Sequence, residues 1–342
     1  MTRRPGAAIA ITCGLMLIAG LMLAGCGGGG RFGNCSGYVQ DATSQQGVGG
    51  ASISIGGKSG TTQGDGSYRI TGIPVGAQAV TISATDYATH SGQVQVAEGD
   101  NVANFTLDRG TMTVTTPNGG EDWRADDTQA VEWQWQARGV VDHVRLQYSP
   151  NASTTWRDVI ANTPNTGSYT WLVPQAITAK ALVRVIAEDA SNSSFADDTS
   201  NAAFTILPPA TGRYLYLRSD AEGSAGSPVT VPIYVTDATG IAGADITLTF
   251  GASVLTATGA ETTALTNGFT IVTNPTPGQI RISLASATGI ASGSGALVNV
   301  RFTVSSVAPG TTSQLTLQST AVYDQNAQAI AHERIDGLFT VR

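Results

Sequence analysis

The sequence predicts an all-β chain of three tandem β-sandwich modules behind an N-terminal export signal, and three observations predict it. Only 13% of the 342 residues are charged and 41 are glycine, while long runs of Ala, Leu, Glu and Lys are missing, a composition that favours short strands and turns over helices. From Ser36 onward apolar residues recur every second position in short bursts, the spacing of strands with one buried face. The chain also exceeds the usual single-domain size, and the pattern breaks near residue 109 and again over 208–212. The formal net charge of -7, with no Lys/Arg cluster beyond the extreme N-terminus, excludes the electrostatic footprint of a nucleic-acid binder. Cys13, Cys26 and Cys35 all lie near the N-terminus, so no disulfide framework staples the modules and their cores stand on burial alone.

The first element is an address. Arg3 and Arg4 precede an apolar run from about Ala7 to Ala24 that closes on Leu23-Ala24-Gly25-Cys26, the layout of a secretory signal peptide over 1–25. A plain transmembrane helix is the alternative for such a run. The last four residues resemble the lipobox of bacterial lipoproteins, which implies a diacylglyceryl group on Cys26 and cleavage before it. That anchor gains about 0.8 kcal/mol per buried methylene. Gly27 stands where, in enterobacteria, an Asp retains a lipoprotein at the inner membrane, so the resemblance implies outer-surface placement under that code. Residues 26–33 read as a lipidated, Gly-rich flexible tether, with the folded part beginning near Asn34 and Cys35 a half-buried thiol in the first strand.

The first module, 34–108, alternates at Ala51, Ile53 and Ile55, at Tyr68 and Ile70, at Val80 and Ile82, and at Val94 and Val96. Gly64-Asp65-Gly66, between Thr61-Thr62 and Tyr68-Arg69-Ile70, is a hairpin signal because Asp and Gly tolerate positive φ. Gly57-Lys58-Ser59 has the end of a phosphate-binding loop but neither its first Gly nor a following helix, and reads as a hairpin turn. Gly37-Tyr38-Val39, Gly49-Gly50-Ala51, Gly64 to Tyr68 and Gly72-Ile73-Pro74-Val75-Gly76 together resemble a carboxypeptidase regulatory-like domain. The resemblance implies a transthyretin-like sandwich without catalysis of its own.

The second module, 109–207, carries all five tryptophans. Thr116 to Trp123, Val131-Glu132-Trp133, Tyr148-Ser149 with Thr155-Trp156, and Asn165 to Pro174 resemble an Ig-like sandwich domain first described in yeast cell-wall synthesis proteins. Trp133 and Trp135 share a strand face with Val131, opposite Glu132, Gln134 and Gln136. Two readings stand: a core built from Trp, or a stacking platform for the apolar face of a pyranose.

Pro208-Pro209-Ala210-Thr211-Gly212 lacks the hydrophobic period and reads as a linker. In the third module, 213–342, alternation is cleanest: Val229, Val231, Ile233 and Val235; Ile246, Leu248 and Phe250; Ile280, Ile282 and Leu284; Val298, Val300, Phe302 and Val304. Gly226 to Ile233, Gly240 to Phe250 with Val254-Leu255, Gly295 to Val304 and Asp336 to Val341 resemble a cohesin. The resemblance implies a jelly roll that docks a dockerin-bearing protein across one exposed sheet face. It carries a recognition role onto Asp245, with Thr247 and Thr249 on the same outward row. Gly243 stands where an Asn is common, and no carboxylate occurs in Ser286-Ala287-Thr288 where the family often has one. Leu284 corresponds to an apolar contact of the family, and its period-two row with Ile280 and Ile282 also fits core.

No catalytic constellation appears. His90, His143 and His332 fall in different modules, and no G-x-S-x-G elbow occurs. Asp126-Asp127 and Asp197-Asp198 are neighbours in turn-rich stretches and lack the spacing of a calcium loop. The expectation is a non-catalytic surface lipoprotein with no cofactor or metal, membrane-held through Cys26, docking a dockerin-type partner in polysaccharide degradation. Direct polysaccharide binding and a purely structural envelope role are the alternatives.

Overall fold

A computed structural model describes residues 30–342 apart from 86, 137–140 and 193, so Cys26 and the signal segment lie outside the described residues. The chain is all-β. The first sandwich is made of β1 (Phe32–Asp41), β2 (Ser52–Ile55), β3 (Lys58–Thr61), β4 (Ser67–Pro74), β5 (Gly76–Ser83), β6 (His90–Val96), β7 (Gly99–Val102) and β8 (Phe105–Leu107). One sheet runs β4-β1-β7 with β8 also on β1, the other β3-β2-β5-β6. Ile53, Ile55, Ile73 and Ile82 are fully buried between them beside Cys35, which is wholly rather than half buried.

Two further expectations for this sandwich change. β1 begins at Phe32, which pairs with Pro74, so two tether residues belong to the sheet. Gly33 is there for close approach: a Cβ on it would lie 2.2 Å from the Ala97 carbonyl oxygen. The Gly64-Asp65-Gly66 turn forms, with Gln63 N–H bonded to Ser67 O at 2.8 Å, but the strands it joins do not pair. β3 pairs with β2 through the Gly56-Gly57 turn, both residues at positive φ, while β4 pairs with β1. The turn therefore crosses from one sheet to the other, because the tighter two-residue hairpin already occupies β3.

The second sandwich comprises β9 (Thr111–Thr116), β10 (Asp122–Arg124), β11 (Thr128–Gln136), β12 (His143–Ser149), β13 (Arg157–Thr163), β14 (Ser168–Leu172), β15 (Thr178–Glu188), β16 (Ser194–Thr199) and β17 (Phe204–Leu207). Its sheets run β10-β17-β15-β12-β13, with β16 on β15, and β14-β11-β9. Trp123, Trp171, Phe204 and Tyr148 pack ring against ring at its centre, at centroid distances of 5.0–6.0 Å. Arg109 joins the first two sandwiches: its guanidinium lies 5.0 Å from the ring centroids of Tyr87 and Phe195 and pairs with Asp41 and Asp189.

The third sandwich contains β18 (Tyr214–Tyr216), β19 (Ala221–Gly223), β20 (Pro228–Val235), β21 (Gly243–Thr249), β22 (Leu255–Glu261), β23 (Thr270–Thr276), β24 (Gln279–Ala285), β25 (Gly295–Val304), β26 (Thr312–Tyr323), β27 (Glu333–Ile335) and β28 (Gly337–Val341). A five-stranded sheet β22-β25-β20-β18-β27 faces a six-stranded sheet β19-β28-β26-β21-β24-β23. Phe302 and Phe339 are fully buried between them, each contributing roughly 1.5–3 kcal/mol by burial.

The stretch 208–212 does not separate the second and third sandwiches. Tyr214 and Ile335 pack into the second core. Ser219 N–H bonds to Ile177 O at 2.7 Å, Asp220 accepts the Ala179 N–H at 3.0 Å, and the buried Asn151 side chain donates to Thr340 Oγ1 at 3.0 Å. Lys180 and Arg342 both pair with Glu222. Tyr214 on β18 and Ile335 on β27 stand at one edge of the five-stranded sheet, the hydrogen bonds and ion pairs fall on or beside β19 and β28 at one edge of the six-stranded sheet, and none of these contacts is made by the other four strands of that sheet.

Candidate docking face

The face is built on those four strands, β26-β21-β24-β23. Along β21 the even positions Ala244, Ile246 and Leu248 enter the core, so Gly243, Asp245, Thr247 and Thr249 face outward. The antiparallel registers then set the neighbours. Asp245 stands opposite Ala321 and Ser283, and Ser283 opposite Val272; Thr247 stands opposite Ser319 and Arg281, and Arg281 opposite Asn274. Asp245, Arg281, Ser283 and Val272 are all exposed, Val272 by 65%. Ser283 Oγ donates to Asp245 Oδ1 at 2.6 Å, which orients the carboxylate and leaves its other oxygen open to a partner's donor. The surface is chemically mixed: one carboxylate, one guanidinium, hydroxyls and one exposed valine. Such a surface meets another protein through hydrogen bonds around a small apolar contact.

Gly243 lies beside the Tyr323 ring. A Cβ there would be 3.3 Å from Leu284 O and 3.8 Å from Tyr323 Cδ2. The ring, supplied by β26, thus borders the position where a longer polar side chain would otherwise stand.

Three candidate residues are corrected by their packing. Leu284 is 3% exposed inside the third core, because its opposite number on β23, Ile271, also points inward. The exposed apolar side chain on this face is Val272 instead. Trp133 is 3% exposed in the second core, with its indole N–H donating to Asn165 Oδ1 at 2.8 Å. Trp135 is partly buried and sets its ring edgewise to Phe195 at 5.9 Å. The pair provides no open, coplanar platform for a sugar ring. Among the described residues no group of three or more His, Cys, Asp or Glu side chains is arranged to hold a metal ion.

Residues 219–341 match the family model of the cohesin domain. The third sandwich matches the cohesin family. Residues 35–108 match the carboxypeptidase regulatory-like domain, and both matched models describe binding or regulatory modules rather than catalytic domains. Solved structures similar to this chain are cohesins. One is a non-cellulosomal cohesin from the hyperthermophilic archaeon Archaeoglobus fulgidus, 25% identical, covering 39% of this chain and 92% of that one, with a TM-score of 0.35. Another is the sixth cohesin of Acetivibrio cellulolyticus scaffoldin B, solved in complex with a Cel5 dockerin, 24% identical over 39% of this chain and 100% of that one, TM-score 0.35. A third is the cohesin module of a Clostridium perfringens family 33 glycoside hydrolase, 15% identical over 39% of this chain and 96% of that one, TM-score 0.32. No curated protein matches the chain.

The strands β23 and β26, which supply Val272, Ser319 and Tyr323, escape the sequence reading. In β23 Ile271 and Val272 are both apolar, so period alone does not choose which faces out. In β26 a register shift near Gln318 places Leu315, Leu317 and Val322 all inward, which breaks the alternation. Arg281 and Ser283 were legible as the odd positions between Ile280, Ile282 and Leu284.

Proposed function

We propose that the chain is a lipid-anchored docking protein of the bacterial cell surface. Cys26 carries the lipid, the first two sandwiches form a stalk, and the cohesin module presents the face on β26-β21-β24-β23 to a dockerin-bearing partner engaged in polysaccharide degradation. The observation that carries this reading is positional. The second sandwich packs beside β19 and β28 of the cohesin sheet and against β18 and β27, while Asp245, Arg281, Ser283 and Val272 on the other strands of that sheet are exposed. Asp245, oriented by Ser283, is the hydrogen-bonding centre of the proposed contact, and Val272 its apolar anchor.

The test is isothermal titration of the full chain against a panel of purified dockerins. Binding by one of them, with Asp245→Ala weakening it by about 2 kcal/mol, roughly 30-fold, supports the reading. Asp245→Ala binding as tightly as wild type, or no dockerin in the panel binding at all, removes it.

A further inference from the structure

Six large hydrophobic side chains are exposed among the described residues, and four of them, Phe32, Tyr38, Val75 and Val102, belong to the first sandwich. All four lie on or at the end of its β4-β1-β7 sheet. Phe32 and Tyr38 face outward on β1, alternating with the buried Gly33, Cys35 and Val39. Val102 on β7 is level with Ser36, between the two rings. At the end nearest the N-terminus Phe32 pairs with Pro74, and the Val75 N–H bonds to Arg31 O at 3.0 Å, which brings Val75 to the same end.

The charges on this face come in pairs. Asp100 accepts from Asn34 at 2.8 Å and from Arg69 at 3.2 Å, and Arg31 stands 3.9 Å from Glu98. The surface therefore sets exposed apolar groups among paired charges and small polar side chains, and is locally neutral. A zwitterionic headgroup layer accepts this combination: rings and aliphatic groups enter the acyl boundary while paired charges stay in the wet layer. Its place in the chain points to the same occupant. Five residues lie between Cys26 and Phe32, so the span is at most about 22 Å when fully extended. An acyl chain on Cys26 thus holds this sheet within one short tether of the bilayer, at a high effective concentration of lipid.

We propose that the outer face of β4-β1-β7 lies on the lipid headgroup layer, with Phe32 and Val75 at the tethered end and Val102 and Tyr38 farther along. The face, and not the tether alone, then orients the chain on the membrane. This rests on the lipid anchor proposed above.

The test uses the full, acylated chain in phosphatidylcholine vesicles, with a polarity-sensitive fluorophore on Phe32→Cys, Val102→Cys or, as control, Val272→Cys. These positions are exposed, and Cys35 is fully buried and escapes labelling. The expected result is blue-shifted emission at 32 and 102 that brominated lipid quenches, with neither effect at 272. If Cys26 carries lipid by mass but 32 and 102 behave like 272, this face does not touch the membrane and the anchor stands. If the mass shows no lipid on Cys26, the anchor fails and takes this proposal with it. A blue shift that brominated lipid leaves unquenched overturns it in favour of a second copy of the chain on this face.

Discussion

The joint between the second and third sandwiches is tested by one hydroxyl. Thr340 on β28 accepts a hydrogen bond from Asn151 Nδ2 at 3.0 Å, and both residues are 5% exposed. The other end of the Asn151 side chain is engaged: its Oδ1 accepts from Ser149 Oγ at 3.1 Å and from Thr155 N–H at 3.0 Å, so the side chain has no freedom to turn away. Thr340→Val keeps the volume and the β-branch, opens no cavity, and leaves one buried N–H donor unpaired. A stranded buried donor costs about 1–3 kcal/mol. Near the middle of that range, and at roughly 2–4 °C per kcal/mol for a unit of this size, the transition that includes the joint falls by about 4–8 °C. Differential scanning calorimetry of the full chain reads this directly, with the exposed Thr303→Val as a control that leaves the melting curve in place. A Thr340→Val curve superimposable on wild type would mean that Asn151 and Thr340 are not bonded across a dry joint, and that the two sandwiches move independently.

Three further outcomes are expected. Leu284→Ala lowers stability by about 2–5 kcal/mol in urea titration because it empties a core position, whereas Val272→Ala on the adjacent strand stays within about 0.5 kcal/mol; equal effects would contradict the inward and outward assignments. His143 is held above its usual range by the carboxylate of Asp142 at 3.0 Å and, against the opposing effect of burial, by that of Glu188 at 2.9 Å. Its contribution is complete below the unfolded value of about 6.5 and is lost as pH rises through the folded value, so urea midpoints drift down above neutrality in wild type and stay level in His143→Gln. Asp220 is buried, which alone would raise its carboxyl, but the Arg218 guanidinium and the Ala179 N–H hold it below the usual range. Its contribution is present above the unfolded carboxyl value near 4 and is lost as pH falls through the lowered folded value; Asp220→Asn therefore shows a shallower acid limb in the melting temperature below about pH 4, and an unchanged limb would remove this role.

The all-β character and most inward-facing positions are legible in the residues, because a strand with one buried face writes its geometry as alternation. Ile246, Leu248 and Phe250 face the core as that period requires, and Asp245, Thr247 and Thr249 face out. Sequence period assigns sides within a strand; it does not say which strands become neighbours. Val272 meets Ser283 and Asp245 only through the registers of three antiparallel strands, and the hairpin expected at Gly64 to Gly66 is overruled because β3 already had a partner across the Gly56-Gly57 turn. Nor does local pattern report what lies across a sheet, so Leu284 and Trp133 read as candidate contacts until packing placed them inside. The stretch 208–212 has a linker's composition, yet Tyr214, Asn151 and Asp220 lock the flanking sandwiches together. What the sequence determined by itself is the strand-forming nature of the three modules and the polarity of each strand's two faces, since both follow from contacts between residues two apart. Only the tertiary structure decided which outward faces stay open and which modules share a core, because those depend on atoms far apart in the chain competing for the same surface.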